Sequence, residues 1–109
     1  MIFMSFGKTS VNFFQTKKNA INGGHFHSYS VTRTILRGKI KYVTKNLTTD
    51  EEKISIISAP HFWIVQENVV ELIITLEDSI YTETYQGTYK AEVYFPFREI
   101  VEKQLSSFQ

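Results

Sequence analysis

The chain has 109 residues, the length of one domain, and that is enough to bury a core without covalent staples. It has no cysteine, which excludes disulfides and cysteine metal sites, and its net charge of +1 is interspersed, with no basic stripe for nucleic acid and no acidic tail. No apolar run approaches the roughly 18 residues of a membrane helix, and an aromatic content of 15%, with many Ile, Val and Thr, favours strands.

Met1 to Phe6 reads as a short apolar edge strand. It has no basic flank and no small-residue cleavage site, so a signal peptide is not expected. After a Gly7-Lys8 turn, Ser10 to Thr16 is a strand, and Lys17 to Gly24 is a loop ending in Asn-Gly-Gly. A new strand opens at His25. Alternate strand residues share a face, so His25 and His27 lie together. Val31, Arg33 and Ile35 share a face opposite Thr32, Thr34 and Leu36, beyond a kink at Ser28 to Ser30. Arg37-Gly38-Lys39 bends the chain into the well-alternating strand Lys39 to Asn46. A loop from Leu47 to Glu52 leads to strand Lys53 to Ser58, which Ala59-Pro60 breaks.

His61 to Gln66 resumes extended structure, and Glu67-Asn68 turns it. Val69 to Leu76 is the most apolar run and reads as a central strand. Glu77-Asp78 turns the chain into strand Ile80 to Tyr85. Gln86-Gly87 then signals a hairpin to a last strand, Thr88 to Tyr94. Pro96 sits where a helix can begin, and Ile100, Val101 and Leu105 recur at helical spacing. The pattern predicts a single all-β domain over 1–109: an antiparallel β-barrel at about 10–94, then a short C-terminal α-helix at about 97–106.

Two histidines at i and i+2 of a strand have Cα atoms roughly 6.5–7 Å apart. His61 is the third histidine of the chain. Three imidazoles from two segments make either a ligand set for a metal, zinc needing nitrogens at about 2.0–2.1 Å, or a metal-free acid–base group near neutral pH. The plainer alternative is two polar residues at a barrel mouth. Arg33 on an inward face is a fork for a ligand carboxylate or phosphate, or else is paired with Glu71 or turned outward. Trp63 shares a face with His61 and is a stacking wall for a ring or a core residue. Tyr81, Tyr85, Tyr89 and Tyr94 line the mouth or form cross-strand pairs. Glu99 and Glu102 fall on the charged face of the helix. No nucleophile elbow or phosphate loop is present.

The pieces Gly23-Gly24, His25-x-His27 and Gly38 resemble the first motif of the cupin superfamily. Pro60-His61, the strand to Gln66 and Glu67-Asn68 resemble a shortened second motif. The Gly38-Lys39-Ile40 turn and the tail from Tyr94 into the helix are similar to small cupins of sugar biosynthesis. The resemblance implies a jelly-roll barrel that is an isomerase- or epimerase-type enzyme for a carbohydrate or nucleotide-linked sugar. In it His25, His27 and His61 are acid–base residues or the ligands of a divalent metal (Zn, Fe, Mn or Ni), or no metal is held. Its partner would be a small, anionic sugar derivative contacted by Arg33 and Trp63. A non-catalytic ligand-binding cupin is the alternative, and a metal-dependent dioxygenase a further one. The motif's glutamate falls at Val31 or Thr32, so a carboxylate ligand is missing or comes from Glu67 or Glu71. A homodimer joined through Ile2, Phe3 and Met4, a cytoplasmic location, and no nucleic-acid or membrane partner complete the expectations.

Overall fold

The computed structural model describes residues 1–87 and 89–107. In chain order the strands are β1 (Ile2–Phe6), β2 (Thr9–Thr16), β3 (Ile21–Gly23), β4 (His25–Phe26), β5 (Val31–Arg37), β6 (Lys39–Asn46), β7 (Glu52–Ser58), β8 (His61–Val65), β9 (Val69–Thr75), β10 (Ser79–Gln86) and β11 (Glu92–Val93). The helix α1 (Phe95–Ser107) follows them. The strands form two antiparallel sheets, β1-β2-β10-β5-β8 and β3-β9-β6-β7, with the short β4–β11 pair beside them. This is the expected all-β jelly-roll barrel with one C-terminal helix.

Alternation along each strand sorts side chains between the interior and the outside. On β5 it buries Val31, Arg33 and Ile35. Ile35, Ile40, Tyr42, Ile73 and Tyr81 form the main core, and Val31, Val65 and Tyr85 a second cluster. Trp63 packs against both clusters. β9 runs between β3 and β6, and β4 and α1 pack against it. A strand covered on both sides needs apolar residues on both faces, which accounts for its Val-Val-Glu-Leu-Ile-Ile run.

The structure departs from the sequence reading in three places. The segment read as a loop before His25 contains β3, which pairs with β9 through Ile21, Asn22 and Gly23. The Asn-Gly-Gly signal marks the end of that strand, because Gly23 and Gly24 both take positive φ (114° and 83°). The expected hairpin from Gln86-Gly87 does not form between neighbouring strands. Thr88 lies outside the described residues, and β11 leaves β10 to pair with β4, Val93 opposite His25. In α1, Val101 is buried, but Ile100 and Leu105 are 44% and 50% exposed. Polar groups also fix the helix: Gln104 accepts the Ile21 N–H through Oε1 at 2.6 Å and donates through Nε2 to the Asn19 carbonyl at 2.6 Å.

Gly24 is where the helix closes on the barrel. A Cβ there would stand 2.8 Å from the backbone N and Cα of Arg98. Left-handed backbone at a non-glycine residue adds on the order of 1–3 kcal/mol of strain. Gly24→Ala is therefore expected to lower stability by at least about 1–3 kcal/mol in urea denaturation, with α1 displaced from β3. A neutral result would show that the helix does not seat there.

Candidate active site

Between the sheets lies a cavity of about 440 Å³. Phe3, Asn12, Glu83, Arg33 and Trp63 stand opposite one another across five strands, a single inward row. The middle three are polar, and with Glu71 from the facing sheet they line the cavity. Arg33 is 4% exposed. Its Nη2 donates to Glu71 Oε1 at 2.7 Å and to Glu83 Oε2 at 3.2 Å. Tyr42 donates to Glu71 Oε2 at 2.5 Å, and Asn12 Nδ2 donates to Glu83 Oε1 at 3.2 Å. The guanidinium lies 5.5 Å from the centre of the Tyr81 ring and 5.8 Å from that of Phe14. Arg33 Nε and Nη1 are buried and have no hydrogen-bond partner among the described residues.

His27 enters this network from the kink after β4. Its Nδ1 lies 2.6 Å from the Lys90 carbonyl oxygen. A carbonyl can only accept, so Nδ1 carries the hydrogen and the neutral ring has its lone pair on Nε2. Nε2 is 3.6 Å from Glu83 Oε2, an ion-pair distance. Tyr29 and Tyr89 flank the ring, with centroids 5.0 Å and 5.3 Å away. Burial pulls the His27 pKa down, but the Glu83 carboxylate and the Lys90 carbonyl outweigh it and leave the pKa above the ordinary 6.5. Burial likewise pushes Glu83 up, yet His27, Arg33 and Asn12 hold it below the usual carboxylate range. Burial lowers the pKa of His25, and the nearby Arg98 and His27 charges add to this. The two histidines are thus driven apart: His27 holds a proton more readily, His25 less. Burial first, then the Glu71 charge, raises the Tyr42 pKa, and burial raises that of Tyr81, so both hydroxyls keep their protons.

The raised His27 pKa predicts a pH dependence. A group whose pKa is higher in the folded state adds stability that is fully present below the unfolded value, here 6.5, and is lost as pH rises through the folded value. The stability advantage of the native chain over His27→Gln should therefore be largest in acid and shrink as pH rises above 6.5, read by urea titration across pH. A constant difference would mean that Glu83 does not stabilise the imidazolium.

His25 and His27 both line the cavity. His61 does not. It sits opposite Ile35 on the sheet-edge strand β8, exposed, with its ring stacked on Trp63 at 5.8 Å. The three imidazoles do not meet, because strand periodicity places His61 on the inward side but at an open edge of the barrel. Trp63 packs edge-on to Tyr42 at 5.1 Å and bridges the two core clusters, the core residue of its two sequence readings. Glu67 is exposed, and Glu71 is bound to Arg33 and Tyr42, so neither supplies a missing ligand. Among the described residues no group of three His, Asp or Glu side chains is placed to hold a metal ion. The histidine set therefore does not fit a resident divalent metal. Arg33 is paired with Glu71, one of its three sequence readings, and with Glu83 as well. Tyr81, Tyr85 and Tyr89 line the cavity, while Tyr94 packs on Phe97.

Sequence reasoning passed over Glu83 and Asn12. The signal for Glu83 was present: it stands between Tyr81 and Tyr85 on one strand face, a carboxylate in an aromatic row. At the rim Arg98 donates through Nη1 to the Gly23 carbonyl at 3.1 Å and pairs through Nε with Glu102 at 3.3 Å.

A two-sheet antiparallel barrel with its polar groups turned into a central cavity defines the class: this is a double-stranded β-helix, the cupin fold. No family model and no curated protein matches the chain. Solved structures do match. RmlC from Streptococcus suis in complex with dTDP-D-xylose is similar with a TM-score of 0.68 at 20% identity, over 77% of this chain and 46% of that one. The dTDP-4-dehydrorhamnose 3,5-epimerase from Sulfolobus tokodaii gives 0.62 at 16% identity, over 73% and 52%. An uncharacterized double-stranded β-helix protein from Klebsiella pneumoniae gives 0.69 at 15% identity, over 84% and 78%. The chain spans about half the length of the first two. Among the described residues no helix is long and apolar enough to cross a membrane.

Proposed function

We propose that this cupin is an isomerase- or epimerase-type enzyme that moves a proton on a carbohydrate or nucleotide-linked sugar, with His27 as the base. The observation that carries the reading is the fixed His27 tautomer: Nδ1 donates to Lys90 while Nε2 faces Glu83 at the cavity wall. Such a nitrogen takes a proton from a carbon beside a carbonyl group, and Glu83 stabilises the imidazolium that results. Arg33 supplies the second half of the chemistry. Its unpartnered Nε and Nη1 are donors for the carbonyl oxygen, on which negative charge gathers as the proton leaves.

The charge balance says which part of the substrate lies deep. With His27 neutral, as a base must be, Arg33 is the one cation facing the two carboxylates of Glu71 and Glu83. The deep end then disfavours an anion and suits an uncharged keto-sugar ring. Arg33 is engaged by protein carboxylates, so a substrate phosphate is better placed at the rim beside Arg98. The two neighbours whose names carry a dTDP-sugar support the sugar class through fold alone.

The test is solvent isotope exchange. The full chain in deuterium oxide, given dTDP-linked 4-keto sugars, is expected to place deuterium on carbons next to the keto group, read by NMR. Thermal stabilisation by these sugars with no exchange would instead favour the non-catalytic ligand-binding reading. On the partner side, the reading includes a homodimer.

A further inference from the structure

The buried amide of Asn12 is used at one end only. Asn12 stands on β2 opposite Glu83 of β10, which in turn stands opposite Arg33 of β5. It is 4% exposed and lines the cavity. A carboxylate can only accept, so the amide group that meets Glu83 Oε1 at 3.2 Å is the Nδ2 donor. That contact fixes the amide and turns Oδ1 away from Glu83. Among the described residues no donor reaches Oδ1, and unlike Arg33 Nε and Nη1 it is not shut off from solvent. The space it opens on is the cavity. A ligand that fills the cavity removes the water there, and a buried acceptor left without a donor costs about 1–3 kcal/mol. An amide oxygen accepts and cannot donate, so it selects an O–H or N–H over a methylene or a second keto group.

The surroundings say where on a ligand that donor sits. Asn12 Nδ2 and Arg33 Nη2 take the two oxygens of the Glu83 carboxylate, each at 3.2 Å. His27 Nε2 is 3.6 Å from the oxygen that Arg33 holds. The open acceptor of Asn12, the open donors of Arg33 and the His27 lone pair are therefore gathered around one carboxyl group, within the span of a single sugar ring. A ligand oxygen that accepts belongs at Arg33. A hydroxyl that donates belongs at Asn12.

We infer that Asn12 is a specificity-determining residue: its Oδ1 accepts a hydrogen bond from a hydroxyl on the carbon next to the keto group, so the cavity takes an α-hydroxy ketone in preference to the deoxy ketone. The inference rests on the proposed proton transfer from that carbon to His27. In that step the proton goes to Nε2, the C–H electron pair becomes the new C=C bond, and the carbonyl π pair moves onto the oxygen at Arg33. The hydroxyl stays on its carbon throughout. Held by Asn12, it presents the C–H rather than the O–H to the base. A hydrogen in place of the hydroxyl leaves Oδ1 dry and unpaired, the situation in which a polar site rejects an analogue most strongly.

Two dTDP-linked 4-keto sugars, one with a hydroxyl on carbon 3 and one 3-deoxy, are compared by deuterium exchange at carbon 3 in the full chain. The ratio of kcat/KM, hydroxylated over deoxy, is expected to fall about 5- to 100-fold in Asn12→Leu, the range for one unpaired buried polar group. The ratio decides the matter because leucine also removes the Nδ2 bond to Glu83, and that loss slows both sugars alike. A role confined to supporting Glu83 would lower both rates and leave the ratio unchanged, which would overturn the inference while His27 stood as the base. If the variant does not fold, carbon-13 NMR of the native chain serves instead. The Asn12 Cγ signal should move with the hydroxylated sugar and not with the deoxy sugar; equal movement, or none, overturns the inference. Exchange on neither sugar would remove the proposed reaction, and the NMR comparison would still decide whether Asn12 reads the hydroxyl.

Discussion

Arg33→Met should destabilise the fold by about 3–5 kcal/mol at neutral pH, the range for removing one partner of a buried ion pair. The side chains of Arg33, Glu71 and Glu83 are only 5%, 7% and 6% exposed, so water cannot take over the pairing. Methionine fills the space and leaves two buried carboxylates without their shared cation. Tyr42, Asn12 and His27 remain as partners, but only His27 can offset charge. Without the cation Glu83 loses one of the groups that hold its pKa down in the native chain. The stability tied to that lowered pKa is present at neutral pH and lost in acid, so the deficit relative to the native chain should shrink as pH falls. Adding Glu71→Gln to Arg33→Met should recover part of the loss at neutral pH. A loss below about 1 kcal/mol, flat with pH, is the signature of a solvated pair and would contradict the buried network.

His27→Gln should cut isotope exchange on a keto sugar by about 10²- to 10⁴-fold, the usual contribution of a positioned base. Glutamine keeps hydrogen-bonding groups near Lys90 and Glu83 but cannot accept the proton. Binding, read as thermal stabilisation by the same sugar, should change far less. Glu83→Gln should be milder and of a different kind. It removes the carboxylate that holds the His27 pKa up, so the rate profile should move toward lower pH with the base still present. Exchange that survives His27→Gln undiminished would assign the base elsewhere in the cavity.

What could be read from the sequence divides along physical lines. Strand alternation is local, so β6 runs from Lys39 to Asn46 as the sequence suggests, and Val31, Arg33 and Ile35 share the buried face of β5. A charge in an apolar row is local too, and Arg33 and Glu71 each stand out in that way. Their pairing was a matter of charge arithmetic. Glu83, set between Tyr81 and Tyr85 on its strand, carries the same signal. What the sequence could not convey is position along a strand relative to distant partners. His61 lies on the inward side of β8, as period two requires, but at the end of an edge strand. Only the register with β5 shows that it is remote from the cavity. The route of β11 back to β4 is likewise a long-range choice that no turn residue announces.

The contact between His27 and Lys90 joins residues 63 positions apart in the chain. Nothing local to His27 orients its ring in that way; the tertiary fold delivers the carbonyl that does. Tyr29 grips the same residue, donating its hydroxyl to the Lys90 carbonyl at 3.1 Å and accepting the Lys90 N–H at 2.9 Å. The backbone of Lys90 thus acts as a latch on the His27 ring, so which imidazole nitrogen carries the hydrogen is decided by the long-range route of the chain.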